Sequence, residues 1–205
     1  MTAAVRTRGR IPAPGPVLAA TALAAVVVLL TAVRPLDVLV VRVPPDADPG
    51  TTGGGAAAPL VLPLATADVF EVRYRHSVNG FTVRERFARA EDGGVTVVEH
   101  YVDGIGAGID EVAGETTWES VGGGWSRLEG LARDLGGPLV MRVGGVADHR
   151  LLVGCHEIRL LERYPAGTRI ALGWERTGPL SWLAARLRLA ATPRDGVTCA
   201  LPGTG

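Results

Sequence analysis

Between Val69 and Val102 apolar and polar side chains alternate in three runs, separated by Asn79-Gly80 and by Glu91-Asp92-Gly93-Gly94. A period of two places successive side chains on opposite faces of a strand, so the stretch reads as a three-stranded antiparallel meander. Phe70, Val72 and Tyr74 share one face of its first strand, and Phe81, Val83 and Phe87 share one face of its second. Asn-Gly between two alternating runs predicts a two-residue type I′ turn, in which both central residues take positive φ. That turn sets Val78 opposite Phe81, His76 opposite Val83, Tyr74 opposite Glu85 and Val72 opposite Phe87. Any even loop length keeps the same side chains on the same face. Carried through the second turn, the count sets Val98 opposite Phe87, His100 opposite Glu85 and Val102 opposite Val83.

The apolar face therefore holds four polar side chains, Tyr74, His76, Glu85 and His100. A carboxylate there must be paired, hydrogen-bonded or protonated, because burying it bare is costly. Three arrangements meet that demand. The four residues can form a buried network that fixes strand register. They can floor a pocket for a small polar or anionic ligand, with His76 as a donor. Or two histidines and one carboxylate can ligate a metal ion, although three adjacent strands on one face make a flat donor set. The first two readings rank above the third, so no metal or other cofactor is expected. His76 and Ser77, as neighbours on a strand, point to opposite faces and do not make a catalytic Ser-His pair.

On the reverse face the count sets Arg73 opposite Arg86 and Arg75 opposite Arg84, with Glu99 across from Arg86 and Tyr101 across from Arg84. Opposed like charges destabilise a sheet unless neutralised. Interleaved Glu71 and Glu99 make this face a solvated charge lattice; the alternative is a surface for an anion, an acidic partner or lipid phosphates. Every one of the 21 basic residues is Arg, a coding bias that lowers the weight of any single arginine cluster.

Strand patterns resume at Leu139 to Val143, Arg150 to Val153, Glu157 to Leu161 and Thr168 to Leu172, with turns at Gly144-Gly145, Gly154 and Pro165-Ala166-Gly167. Trp125 to Leu128 fits a short edge strand. Short strands without intervening helices predict a mainly β fold, an antiparallel sandwich or barrel of about seven to eight strands. Pro179 to Leu189 is the one good helix in this part, with Leu180, Leu183, Ala184 and Leu187 on one stripe. It is expected to pack as a lid over an open end of the β domain; contact of Trp174, Trp182, Arg186 and Arg188 with lipid headgroups is the lesser alternative. The cluster Gly104-Ile105-Gly106-Ala107-Gly108 lacks the third glycine and the following helix of a dinucleotide fingerprint.

The start of the chain adds a different element. Arg6, Arg8 and Arg10 precede an uncharged apolar run from Val17 to Val33, at the short end of what spans a bilayer. A single Arg34 follows, so the N-terminus is expected in the cytoplasm and the rest outside it. No small-x-small cleavage site is cleanly present, and an uncleaved single-pass anchor is expected. Leu36 to Val43 either extends the anchor or forms a first strand. Pro44 to Gly55 is rich in Pro and Gly and reads as a tether. The expected domains are an anchor over 1–36, a linker over 37–59 and an extracytoplasmic β domain over 60–205. Cys155 and Cys199 lie in the exported part, where they either pair or leave Cys155 as a small core residue. Zero formal net charge gives no support for a nucleic-acid partner.

Tyr74-Arg75-His76-Ser77-Val78, Glu85 and Gly106-Ala107-Gly108, in that order and spacing, resemble the signature of a bacterial family catalogued as domain of unknown function number eighteen-fifty. The resemblance spans about Asp68 to Leu172, and departs from the family pattern at Ile109-Asp110, where Leu-Pro is expected. It implies an exported or membrane-anchored β domain, commonly encoded beside the fused permease and the TAXI-type binding protein of tripartite ATP-independent (TRAP) transporters. It also implies an accessory role near organic-anion uptake, with no established enzymatic activity, and no enzyme is expected. The expected function is thus a membrane-anchored accessory or ligand-binding module of a TRAP-type solute transporter. Its expected partners are the membrane, the permease or its solute-binding protein, and a small organic anion. The alternative is a metal-dependent hydrolase using His76, Glu85 and His100.

Overall fold

The computed structural model describes residues 35–45, 58–63, 69–104, 117–128, 130–154 and 156–191. In chain order its strands are β1 (Leu36–Arg42), β2 (Leu60–Pro63), β3 (Val69–Arg75), β4 (Thr82–Arg89), β5 (Val95–Val102), β6 (Trp118–Gly122), β7 (Trp125–Leu128), β8 (Arg133–Asp134), β9 (Leu139–Arg142), β10 (Arg150–Val153), β11 (His156–Arg159) and β12 (Arg169–Thr177). A 3-10 turn, Leu160–Glu162, follows β11, and helix α1 (Pro179–Ala190) follows β12. The strands form two antiparallel sheets, one ordered β2-β1-β12-β9 and one ordered β11-β10-β3-β4-β5-β7-β6, with β8 also paired to β5. The fold is therefore mainly β with one C-terminal helix, as expected, but it has more strands than expected and the sheets do not close into a barrel.

Of the two readings of Leu36 to Val43, anchor extension or first strand, the structure has the strand, so that the β fold begins inside the stretch expected as linker. Val38 to Val41 are all buried, a run that requires cover on both faces. β1 accordingly sits inside its sheet, between β2 and β12. The main core is built from alternate positions of both sheets: Leu39 and Val41, Leu62, Phe70 and Val72, Phe87, Leu151 and Val153, Ile170 and Leu172. Phe70 stacks on Phe87 at 5.1 Å and meets Trp174 edge-on at 6.0 Å. The Tyr164 hydroxyl, fully buried, donates to the Val41 carbonyl at 3.1 Å and so ties the connection after the 3-10 turn to β1.

The meander is present with a corrected register. Tyr74 lies opposite Val83, Val72 opposite Glu85 and Arg73 opposite Arg84, a shift of two from the two-residue turn. The loop comprises residues 77–80: the His76 N–H donates to the Phe81 carbonyl at 2.7 Å and the Gly80 N–H to the His76 carbonyl at 2.9 Å. Gly80 alone takes positive φ, at 74°. A type I′ turn would force Asn79 into that region as well; a four-residue loop asks it only of glycine, which has no Cβ to clash. Because the shift is even, the faces are unchanged.

Between β4 and β5 the register follows expectation as far as Arg86 opposite Glu99, then breaks: Phe87 pairs with Val97, leaving Val98 as a bulge. The extra residue swaps the faces beyond it. Val95 thereby enters the core, and Val97 packs against it.

Helix α1 starts from Gly178 as its N-cap, with Pro179 in the first turn, where a missing N–H costs nothing. It buries Ala185 and Leu189, with Leu189 joining the core. The stripe expected to face the fold is turned outward: Leu180, Leu183 and Leu187 are 84%, 49% and 64% exposed. A sequence stripe defines a face but not the side on which the fold lies, and here the chain leaving β12 presents the small Ala185 side instead. Among the described residues no helix is long and apolar enough to cross a membrane. Val17–Val33, Cys155 and Cys199, and Gly106-Ala107-Gly108 lie outside the described residues.

Candidate functional site: a polar cluster at the edge of the main core

The eight-stranded sheet extends past the four-stranded one. On its inner face, Val83 and Val102 make a second, small apolar cluster with Tyr74, Phe81 and Trp118, to which no residue of the smaller sheet contributes. Glu85 and His100 stand beside it, directly cross-strand. The His100 Nδ1 lies 3.2 Å from Glu85 Oε1, and the two side chains keep 20% and 26% of their surface exposed. The Trp118 ring meets the His100 ring edge-on at 5.7 Å.

Tyr74 joins from β3. Burial, and then the Glu85 charge, push its phenol well above the ordinary tyrosine range, so it remains a neutral hydroxyl donor. Its ring lies 5.3 Å from that of His149, a residue that sequence reasoning missed. β10 pairs with β3 at Arg150 opposite Arg73, which delivers the preceding residue to Tyr74. The His149 Nδ1 accepts the Gly144 N–H at 3.0 Å, leaving its Nε2 to carry the proton of the neutral ring. Burial lowers the His149 pKa, while Glu85 and Asp148 pull it the other way. The loop is pinned by the Arg75 N–H donating to the Ala147 carbonyl at 2.8 Å and the Leu160 N–H to the His149 carbonyl at 3.0 Å. Only a long-range pairing assembles this corner, and no local signal in the sequence marks His149 or Trp118.

His76 does not join the cluster as expected. It closes the hairpin loop, opposite Phe81, where its Nδ1 faces the Asn79 N–H at 3.4 Å. Glu85 is four residues, about 13 Å, further along β4. The set His76, Glu85 and His100 is therefore not brought together, and among the described residues no group of three or more His, Cys, Asp or Glu is placed to hold a metal ion. Ser77 and Val78 of the motif are exposed in the same loop.

The reverse face is denser than a solvated lattice. Glu71 accepts Arg84 in a bidentate pair, at 2.7 and 2.8 Å, and Arg73 at 3.3 Å. Glu71 and Arg84 are each only 7% exposed, and Glu157 6%. Arg150 bridges Glu157 at 2.7 Å and Asp148 at 2.8 Å. Arg86 pairs with Glu99, and the Arg84 guanidinium stacks 5.8 Å above the Trp125 ring. Arg75 turns to the hairpin and donates to the Gly80 carbonyl at 3.2 Å. Of the four arginines expected to form an anion or partner surface, Arg73, Arg84 and Arg86 are thus taken up by carboxylates. The register shift that set Arg73 against Arg84 also set Glu71 opposite Arg86 and diagonal to Arg84.

No curated protein and no solved structure matches the chain. Residues 70–160, from β3 through β11 and so across both polar faces, match the family model described as Domain of unknown function (DUF1850), the family that the Tyr-x-His-Ser motif resembles.

Proposed function

We propose that the chain is a membrane-anchored, extracytoplasmic accessory module, non-enzymatic, whose recognition site is the cluster Tyr74, Glu85, His100 and His149. The observation that carries this reading is the Glu85–His100 pair. It sits on an inner sheet face with a fifth to a quarter of its surface still exposed, between the main core, whose Val72 lies opposite Glu85, and the small Val83–Val102 cluster. A scaffold network on a core face is sealed; one left open, with aromatic walls and a neutral phenol donor, suits a small polar ligand or a docking loop. The Nε2–H of His149 and the Tyr74 hydroxyl can donate to an organic anion, and Glu85 can accept from a hydroxyl or amine on the same ligand. The association with a TRAP-type transporter rests on the family resemblance, and the anchor on the Val17–Val33 run; both are parts of the proposal.

A photo-crosslinking residue at Trp118 of the full chain in native membranes tests it, with Leu152 on the reverse face as the matched control. Capture of a transporter permease or solute-binding protein from position 118 and not from 152 is the expected result. Capture of neither, or equal capture at both positions, contradicts the proposal.

A further inference from the structure

We propose that helix α1 is a membrane-surface helix, with Leu180, Leu183 and Leu187 seated in the headgroup and acyl boundary of the bilayer that the anchor enters. The inference rests on the anchor reading and extends it to the far end of the chain. At about 100° per residue, the three leucines and Ala184 form one stripe roughly opposite Ala185 and Leu189, the residues that the fold buries. Arg188 and Arg186 flank that stripe on either side, and the helix contains no acidic residue. Arg186 stacks 5.2 Å from the Trp182 ring. Exposed leucines between flanking arginines match an anionic lipid surface, into which the leucines sink while the guanidinium groups stay among the phosphates. A lid would have the reverse arrangement, with the leucines inward.

Strand register supplies an independent argument. Leu36, the first residue of β1, pairs with Thr177, and Pro179 opens α1 two residues later. Val33, the last residue of the apolar run, is three residues before Leu36. Two short chain segments and one strand spacing put the start of α1 within about 22 Å of the end of that run. The sheet thus fixes α1 at the same end of the domain at which the anchor arrives.

Tryptophan insertion in the full chain tests this in vesicles of phosphatidylcholine and phosphatidylglycerol, with and without bromine on the acyl chains. Leu183→Trp should add blue-shifted emission that bromolipid quenches about twofold or more above the level for Val146→Trp, a control at a loop position that is 73% exposed. Equal quenching at the two positions overturns the proposal. Blue-shifted emission without quenching also overturns it, because protein, a second copy or the chain beyond α1, would then cover the face. Alkaline extraction of the same membranes reports on the anchor separately. A chain that resists extraction yet shows no quenching at 183 refutes the helix proposal alone; a chain that is extracted refutes the anchor. The triple change Leu180→Gln, Leu183→Gln and Leu187→Gln alters only exposed positions, and should leave extraction unchanged while preventing bromolipid quenching of a tryptophan placed at Ala184.

Discussion

The two faces of the large sheet invert the usual relation between polarity and burial. The reverse face is the more charged, yet Glu71, Arg84 and Glu157 on it are nearly sealed from solvent and joined in a continuous set of ion pairs. The inner face is the more apolar, yet its Glu85–His100 pair stays open. Interlocked arginines and carboxylates cover one another, each long side chain lying across its neighbour, and bidentate geometry holds them there. The main core seals the inner face on one side of Glu85 and the small Val83–Val102 cluster seals it on the other, and the pair between them stays partly open. Charge density alone therefore does not mark a site; the distinction lies in whether the charged groups pair with and cover one another, as Glu71 and Arg84 do.

The largest effect should come from the sealed face. Arg84→Met leaves Glu71 buried without its bidentate partner, and unfolding in urea should show a loss of about 3–5 kcal/mol. Adding Glu71→Leu should restore most of that loss, since a buried pair replaced as a unit by apolar groups is often neutral. A smaller effect belongs to the open face. Burial depresses the His149 pKa, so the folded state resists protonation while the unfolded chain takes up a proton near pH 6.5. Stability should accordingly be unaffected above about pH 6.5 and fall as the pH drops below it, and imidazole NMR should place the His149 midpoint on the acid side of that value. The smallest effect is spectroscopic. The chain has three tyrosines, and burial raises the pKa of all three: Tyr74 on the open face, Tyr101 on the sealed face and Tyr164 in the core. At pH 10.5 roughly three quarters of ordinary tyrosine is ionised; the folded protein should show much less phenolate absorbance, and all of it should appear on unfolding.

Much of this contrast was legible in the sequence, and the remainder failed for definite reasons. Alternation fixed which residues share a face, and the even loop kept Tyr74, Glu85 and His100 together despite a register error of two. The error arose at Asn79, because Asn-Gly permits a type I′ turn without requiring one. The Val98 bulge was marked only by the Val97-Val98 doublet, a break in alternation that a regular strand also tolerates. His149 was invisible because the β10 to β3 pairing that places it is long-range. The outward leucines of α1 were read as inward because amphipathicity has no sign until a fold supplies one. β1 was only half legible: an apolar stretch that follows an apolar run resembles its continuation, and so the strand stood beside anchor extension as one of two readings.

Equilibrium unfolding of Glu71→Gln and Glu85→Gln, side by side in the same buffer, tests the central claim most directly. The account predicts that Glu71→Gln loses about 3 kcal/mol or more, while Glu85→Gln stays within about 1 kcal/mol of the parent chain. Comparable losses in the two variants would contradict it, and would make the inner cluster scaffold like the outer one.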